Sequence, residues 1–436
     1  MERKTGFSTA SLALALLCAA HAHAGAPRAG PPAPVNGDFD AIAASHVIHR
    51  NPADLPPHPA FKADPRTLTL AVGANRITVL DDTLAPVAHI ATHGIVGAPA
   101  FSPDGRVIYW ASADGWVSQF DLATLTPIAR IRAGATPRSL AASRNGRYLM
   151  VVNTAPATLV ALDARDLSLV KVTPGVDKNG RPSGFSAVVD ASRRNAFVVA
   201  LTDAPELWEI PYDGRPVYKG LVHDYRLKEA IAEPGPLPAR VIALDAPLAN
   251  FAFAPAHDVI IGFPRDTAHG HIVHLGVGRR IVDLPLVGSA PCPAMPAWER
   301  HTNGNPQRLI ALRSDAGVAV VDTKNWQPIA RLRTSGPGCL MRGHDRSPYL
   351  WLDASTGSID LLDRERLEVV ATLQPGGRVV DIAFGRDGRH ALVAVDGALV
   401  VFDALTRAEI KRLPLDASAG LYNVWNTSPP PADTRR

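Results

Sequence analysis

The sequence is poor in cysteine and in long apolar runs. Its 436 residues include three cysteines and no Cys-x-x-Cys-His motif, which argues against a covalently attached c-type haem. After the N-terminal segment, no stretch approaches the roughly 18 apolar residues of a membrane-spanning helix. Charged residues make up 20% of the chain, the formal net charge is +4, and no basic block occurs. Nucleic acid is therefore not expected as a partner, nor is a transmembrane span.

Signals for long helices and for common catalytic motifs are also scarce. The chain has 39 prolines, about one residue in eleven against an average near 5%, which argues against a helical bundle. Hydrophobic residues make up 46% of the chain, so wholesale disorder is not expected. No nucleophile elbow, phosphate-binding loop or paired zinc motif is present. Hydrolase and nucleotide-binding functions are therefore not favoured.

Residues 1–24 are typical of a signal peptide. A basic start is followed by a short apolar run, Ala10–Ala20, and then by the small-x-small cleavage site Ala22–Ala24. Cys18 offers a lipoprotein alternative, but Leu17 is large where a small residue is expected before a lipidated cysteine. We therefore expect an exported, periplasmic mature chain.

A unit of about forty residues repeats along the rest of the chain. Asp-Gly or Asn-Gly turns recur in it, as in Phe101–Arg106, Ser143–Arg147 and Phe384–Arg389. These dipeptides suit hairpins because they tolerate positive φ. A later strand in each unit ends in aspartate, and we interpret these residues as structural because turns follow them. They are Asp81, Asp121, Asp163, Asp322, Asp363 and Asp403.

The number of repeats predicts the fold. Two less regular units, 183–213 and about 250–281, fill the central gap, with an insertion over 214–240 between them. The total is eight four-stranded units, which predicts an all-β fold, an eight-bladed β-propeller over residues 65–426. Leu421–Trp425 is expected to pair beside the first blade and close the ring. The flanking segments are a predicted leader over 25–64 and a predicted flexible tail over 427–436.

The propeller topology predicts where a ligand would bind. The loop that enters each inner strand and the turn between the second and third strands share one face around the axis. Predicted entering loops are 93–97, 134–138, 181–184, 289–293, 336–344 and 376–381. Predicted turns on the same face are 113–115, 153–156, 202–205, 264–271, 314–317, 353–357 and 396–397.

Several phrases resemble the eight-bladed d1-haem propellers of the cytochrome cd1 superfamily. These sequence stretches include Val199–Ile210, Gly220–Arg226 and Met341–Asp345. Such stretches are spread over nearly the whole predicted propeller. The resemblance is closest to the NirF branch of haem d1 biosynthesis. The missing c-type haem motif fits that branch, since the reductase and dehydrogenase branches carry a c-type haem domain. The resemblance implies a periplasmic protein that binds haem d1 or dihydro-haem d1 over the propeller axis.

The sequence departs from the family pattern at several site positions. The proximal histidine expected before the first Asp-Gly turn is missing, and His93 lies a few residues earlier. Histidines expected before the sixth inner strand and before the last Asp-Gly turn appear as Pro291–Cys292 and Asp381. An arginine common in the fourth blade appears as Gly184. The scaffold is matched better than the iron site.

A d1 macrocycle bears several carboxylates, so its pocket requires cationic donors and an axial ligand to iron. We predict that Arg138, in the third entering loop, anchors a carboxylate. Arg342 and His344 are predicted to form a pocket rim in the seventh entering loop. His93 is predicted as the metal ligand. For each of these residues the alternative is an ordinary polar surface position.

Two further residues are candidates in the turns of this face. Asp203, together with His344, is a candidate for proton transfer beside a tetrapyrrole. Asn153 is a candidate contact with the ligand. For Asp203 and Asn153 the alternative is a turn-forming side chain that bonds to nearby backbone.

Other groups leave more than one interpretation open. His269, His271 and His274 could bind a transition metal or lie in an exposed turn. Arg265 is a further possible carboxylate donor. The two cysteines of the mature chain, Cys292 and Cys339, could form a disulfide, remain buried thiols or provide a thiolate ligand.

The leading interpretation is a periplasmic haem d1 biogenesis protein that binds haem d1 or dihydro-haem d1. It would complete the macrocycle or carry it to another maturation protein or to the cytochrome cd1 apoprotein. A second interpretation is a non-catalytic propeller that binds a protein or small ligand, which the missing histidines support. A third is a d1-dependent nitrite reductase, which the missing c-type haem domain disfavours.

Overall fold

The computed structural model describes residues 64–219, 231–254, 257–264, 269–284, 295–302, 304–314 and 317–427. The predicted signal peptide, the leader before residue 64 and the tail from residue 428 lie outside the described residues. So do Cys18, Arg265 and Cys292. In the described part, no helix is long and apolar enough to cross a membrane.

The described strands form eight four-stranded antiparallel blades, which confirms the predicted β-propeller. The first blade contains β1 (Thr69–Val72), β2 (Arg76–Leu80) and β3 (Pro86–Ala91). The second contains β4 (Ile95–Phe101), β5 (Val107–Ser112), β6 (Trp116–Asp121) and β7 (Thr126–Arg132). The third contains β8 (Pro137–Ala142), β9 (Tyr148–Thr154), β10 (Ala157–Asp163) and β11 (Leu169–Pro174). The fourth contains β12 (Val189–Ala191), β13 (Ala196–Ala200) and β14 (Glu206–Pro211), then the separate hairpin of β15 (Tyr218–Lys219) and β16 (Ile231–Ala232), and last β17 (Arg240–Ala243).

The remaining blades follow the same plan. The fifth contains β18 (Leu248–Phe253), β19 (Val259–Pro264), β20 (Gly270–His274) and β21 (Arg279–Leu284). The sixth contains β22 (Ala297–Thr302), β23 (Asn305–Ser314), β24 (Gly317–Asp322) and β25 (Gln327–Leu332). The seventh contains β26 (Met341–Gly343), β27 (Tyr349–Asp353), β28 (Ile359–Asp363) and β29 (Glu368–Leu373). The eighth contains β30 (Val379–Phe384), β31 (His390–Val395), β32 (Ala398–Asp403) and β33 (Glu409–Pro414). After them come β34 (Gly420–Tyr422) and the short helix α1 (Val424–Thr427), and single 3₁₀ turns occur at Pro65–Thr67 and Ser192–Arg194.

The strand β34 closes the ring. It pairs antiparallel with β1, with Leu70 opposite Tyr422 and Val72 opposite Gly420. The order of the first sheet is therefore β3-β2-β1-β34, and this blade takes its innermost strand from the C-terminal end of the described chain. The predicted closure by Leu421–Trp425 is confirmed for the strand, while the end of that segment is helical.

The six repeat aspartates have the predicted structural role. Each carboxylate accepts a backbone N–H two residues further along the turn, from Thr83, Ala123, Arg165, Lys324, Glu365 and Leu405 in that order. In each turn a following residue then adopts left-handed backbone with φ between 54° and 69°, namely Leu84, Leu125, Leu167, Trp326, Leu367 and Arg407. The aspartate fixes the turn that leads to the outer strand of each of these blades.

The insertion lies elsewhere than predicted. Instead of separating two blades, it precedes the outer strand of the fourth blade, because β17 comes after it along the chain. Glu206 pairs with Ala243 and Glu209 with Arg240, so the outer strand comes after the insertion.

The hydrophobic core lies between neighbouring blades. At the closure, Ala71 and Leu80 of the first blade pack with Leu392 and Val401 of the eighth. Both faces of a blade are covered in this way, so the central strands are continuous apolar runs. The strand β13 (AFVVA) is buried throughout.

Candidate functional site

The loops of the propeller lie on two faces. One face carries the loops that lead into the inner strands and the turns between the second and third strands of the blades. We call it the entering face. Its described segments include residues 92–94, 133–136, 175–188, 201–205, 333–340 and 396–397. We call the other side, with the Asp-Gly hairpins at 102–106, 143–147 and 385–389, the opposite face.

His93 lies on the entering face, as predicted. Its loop is fixed on both sides, because Thr92 donates its N–H to Asn75 and Gly94 accepts the N–H of Ala113 at 2.8 Å. The His93 side chain itself is exposed. The imidazole is therefore available at a defined place on this face.

Arg138 is exposed and is the second residue of the inner strand β8, at the end of that strand nearest the entering face, so its predicted place in the loop is wrong by two residues. It is the extra residue of a bulge, since Pro137 pairs with Asn153 and Ser139 with the next residue along, Val152. Its Nη1 donates to the carbonyl of Phe185 at 3.3 Å. The guanidinium has five N–H groups, so most of its donors are available to a ligand.

The prediction that Asn153 contacts a ligand is contradicted, because its exposed fraction is 0%. Its Nδ2 donates to the carbonyl of Ala133 at 3.0 Å and to Thr158 Oγ1 at 3.1 Å. A Cβ on Gly134 would lie 2.3 Å from Asn153 Oδ1. Asn153 therefore supports the third entering loop from beneath.

Asp203 fixes the fourth entering loop. Its Oδ2 accepts the N–H of Gly184 at 2.8 Å and the hydroxyl of Thr202 at 2.9 Å, and its own N–H is bonded to Ser183 Oγ at 3.1 Å. The side chain is exposed, so it remains accessible to a ligand despite these contacts. They match the turn-forming interpretation, and the proton-transfer role stays a prediction.

Arg342 and His344 are not in the seventh entering loop, and that prediction of their position is wrong. The inner strand β26 begins at Met341, so Arg342 lies within the strand and His344 begins the turn on the opposite face. His344 Nδ1 accepts the N–H of Arg346 at 3.2 Å, and its ring packs on Phe384. Burial lowers the pKa of His344, although the neighbouring Asp345 opposes this.

Arg342 nevertheless borders a cavity. A cavity of about 240 Å³ lies between the inner strands of blades 6 and 7 and the helix α1, and Arg342, His344 and Asn426 line it. Arg342 Nη2 lies 3.4 Å from Asp381 Oδ1 in the neighbouring inner strand. The two residues therefore contact each other between neighbouring inner strands rather than in a loop.

The seventh entering loop is held by a residue that the sequence analysis did not single out. Arg313 is 5% exposed, and its Nε donates to the carbonyl of Gly338 at 2.9 Å. Its Nη2 also contacts the carbonyl of Asp353. The available signal was one arginine within the apolar strand Leu309–Ser314. The next residue in this loop, Cys339, is disulfide-bonded, which favours the disulfide among the predicted alternatives.

The three histidines of the fifth blade differ in exposure and in their contacts. His269 is exposed in the turn, His271 is 7% exposed within β20, and His274 ends that strand and accepts the N–H of Val277. Among the described residues, no group of three or more His, Cys, Asp or Glu side chains could hold a metal ion.

The propeller with this entering face defines a known class. The model of the cytochrome D1 haem domain family matches residues 66–226 and 251–427. The chain belongs to the cytochrome d1 haem domain family.

Within this family, the chain is similar to a dihydro-haem d1 dehydrogenase and to NirF proteins. It is 40% identical over 410 residues to the dihydro-haem d1 dehydrogenase of Pseudomonas aeruginosa, covering 91% of this chain and 79% of that protein. The solved structure of dihydro-haem d1 dehydrogenase NirN in complex with DHE aligns with a TM-score of 0.78 and 38% identity, covering 90% of this chain and 83% of that one. Protein NirF of Pseudomonas aeruginosa is 24% identical over 338 residues, covering 74% of this chain and 81% of that protein. The predicted membership of the NirF branch is not confirmed, since the identity to the dehydrogenase is higher.

Proposed function

We propose that the chain is a periplasmic protein of nitrite-reductase maturation that binds dihydro-haem d1 or haem d1 on its entering face. The observation that carries this proposal is the 40% identity over 410 residues to a protein named dihydro-haem d1 dehydrogenase. The TM-score of 0.78 to such a dehydrogenase in complex with DHE supports it.

The residues on the entering face fit an anionic iron tetrapyrrole. Arg138 is exposed and its hydrogen bond to the carbonyl of Phe185 is long at 3.3 Å, so the guanidinium can bind a carboxylate. His93 is exposed on the same face and would reach the iron. Arg342, whose contact with Asp381 is long at 3.4 Å, would bind a second carboxylate. When bound, the iron tetrapyrrole supplies the redox-active centre.

The similarity to the dehydrogenase favours a catalytic version of this proposal. Conversion of a dihydro compound to its dehydrogenated product releases two electrons and two protons. The chain has no Cys-x-x-Cys-His motif, so a separate redox protein would have to accept the electrons. The carrier version delivers the ligand to another maturation protein or to the cytochrome cd1 apoprotein and needs no electron acceptor.

One observation favours a second function, a propeller that binds another ligand without catalysis. Asp381 occurs where the family resemblance implies a histidine, and its carboxylate is bonded to backbone N–H groups of two inner strands. A carboxylate used in this way does not replace an iron-binding imidazole.

Addition of haem d1 and of dihydro-haem d1 to the purified mature protein tests these functions. Binding with shifted visible bands supports the proposal, and absence of binding by both compounds contradicts it. Incubation of the dihydro-haem d1 complex with an artificial two-electron acceptor then separates the versions. Appearance of haem d1 only with the protein present identifies the dehydrogenase, and unchanged ligand identifies the carrier.

A further inference from the structure

Asp381 is a buried carboxylate that connects three inner strands. It is 6% exposed and lies in β30. Its Oδ1 accepts the N–H of Ile382 at 2.8 Å, and its Oδ2 accepts the N–H of Leu421 in β34 at 3.0 Å. The contact with Arg342 of β26 is longer, at 3.4 Å. The carboxylate thus has two firm backbone bonds and one weaker charged partner.

The Arg342 guanidinium makes only long contacts with its neighbours and lines a cavity. Its Nη1 donates to the carbonyl of the adjacent Met341 at 3.2 Å, and its side chain is 28% exposed. The residue also lines the 240 Å³ cavity, together with Asp345 and Arg364. A guanidinium has five donors in a fork that matches a carboxylate, so Arg342 can bind a ligand carboxylate in place of its long contact with Asp381.

Few other groups face Asp381 from the elements packed against β30. The strand β34 contributes Tyr422, and β26 contributes Arg342. The titratable residue of β31 is His390 at its far end, and α1 contains none. A Cβ on Gly420 would lie 3.0 Å from Asp381 Oδ2 and 2.9 Å from the Tyr422 hydroxyl, so no further side chain fits there.

These surroundings make the charge of Asp381 depend on Arg342. Burial raises the pKa of Asp381, while the Arg342 cation and the N–H groups of Leu421 and Ile382 lower it. Tyr422 stays neutral, because burial and the nearby Asp381 raise its pKa to about 12. Arg342 is therefore the charged group that favours the ionised form of Asp381.

We infer that Arg342 exchanges the Asp381 carboxylate for a carboxylate of the bound tetrapyrrole, and that Asp381 takes up one proton from solvent in this exchange. The inference rests on the proposed function. A ligand carboxylate bound to Arg342 screens the guanidinium charge from Asp381 and adds a negative charge nearby. Both effects favour protonation of Asp381. Asp381 is then a positioning residue, which directs the guanidinium and makes binding depend on pH. Affinity should fall by up to about tenfold per pH unit where the proton is taken up.

Calorimetric titration of the mature protein with haem d1, in two buffers of different ionisation enthalpy, measures the protons taken up. The wild type should take up close to one proton, and Asp381→Asn should bind without uptake. The control Asp396→Asn removes an exposed carboxylate on the entering face, 57% exposed and paired with Arg378, and should keep the uptake. If Asp381→Asn fails to fold, Arg342→Gln decides, because it leaves Asp381 without its cation before binding and should abolish uptake.

The outcomes separate this inference from the proposed function. Haem d1 binding by the wild type without proton uptake, or equal uptake by the variants, overturns the inference and leaves the proposed function intact. Absence of haem d1 and dihydro-haem d1 binding overturns the proposed function and this inference with it.

Discussion

The backbone N–H of Leu421 donates to the carboxylate of Asp381 across the closure of the ring, at 3.0 Å. The same relationship occurs between blades 3 and 4, where the N–H of Val188 donates to Ser139 Oγ at 3.1 Å. Asp381 and Ser139 each follow the bulge in their inner strand. A side chain at this position therefore connects one inner strand to the next, and at the closure that side chain is charged.

The closure contact should matter more for stability than its counterpart between blades 3 and 4. Asp381→Ala leaves the N–H groups of Leu421 and Ile382 unpaired in a buried place, and should cost roughly 2–4 kcal/mol of unfolding free energy. Ser139→Ala removes one hydroxyl acceptor and should cost about 1 kcal/mol. Urea unfolding measures both. Equal losses would contradict the special role of the closure.

The support of the third entering loop by Asn153 can be tested with a double-mutant cycle. Gly134→Ala places a Cβ 2.3 Å from Asn153 Oδ1 and should destabilise the fold by roughly 1–3 kcal/mol. Asn153→Ala removes the bonds to Ala133 and Thr158, at a similar cost. The double variant should lose less than the sum by about 1 kcal/mol, because the clash disappears. Strict additivity in thermal and urea unfolding would show that the two residues do not meet.

Asp190 should make stability depend on pH. Burial raises its pKa from 3.8 to about 7, although the hydroxyl of Tyr212 donates to it at 2.8 Å. The folded protein therefore holds this proton more tightly than the unfolded chain does. The associated stability is present below about pH 4 and is lost as the pH rises to about 7, by on the order of 3 kcal/mol. Unfolding of Asp190→Asn, measured across this range, should lack that decline, and an unchanged pH profile would contradict the assignment.

The disulfide of Cys339 should stabilise the seventh entering loop. Reduction with dithiothreitol should lower the unfolding free energy by roughly 2–4 kcal/mol. Cys339→Ser should start at the lower value and should not respond to the reductant. A wild type whose melting temperature is the same with and without dithiothreitol would argue against a stabilising bond.

Much of the fold was predictable because its signals are local. Each Asp-Gly hairpin and each strand-ending aspartate lies within one unit, so the repeat could be counted without knowledge of the contacts between blades. The outer strand Arg240–Ala243 was missed because the insertion separates it from β14 and it has only four residues. Nothing local connects it to its blade.

The site was less predictable because it depends on strand boundaries and on contacts between blades. The strand β26 has three residues, too few for an alternating pattern, so Arg342 and His344 were assigned to one loop. The burial of Asn153 depends on the neighbouring loop at Gly134, which folds over it. His93 was placed on the correct face because it lies in the loop just before the inner strand β4, and Arg138 was placed close to its loop because it is the second residue of the inner strand β8.

The most direct test of the proposed function is the affinity of Arg138→Ala for haem d1, measured by visible absorbance. Loss of an exposed guanidinium from the entering face should weaken binding about tenfold or more. The matched control is Arg165→Ala in the same blade, whose side chain is 79% exposed and paired with Asp163 in the turn on the opposite face. The account predicts weakened binding for Arg138→Ala and wild-type binding for Arg165→Ala. Equal binding by both variants and the wild type would contradict a tetrapyrrole site on the entering face.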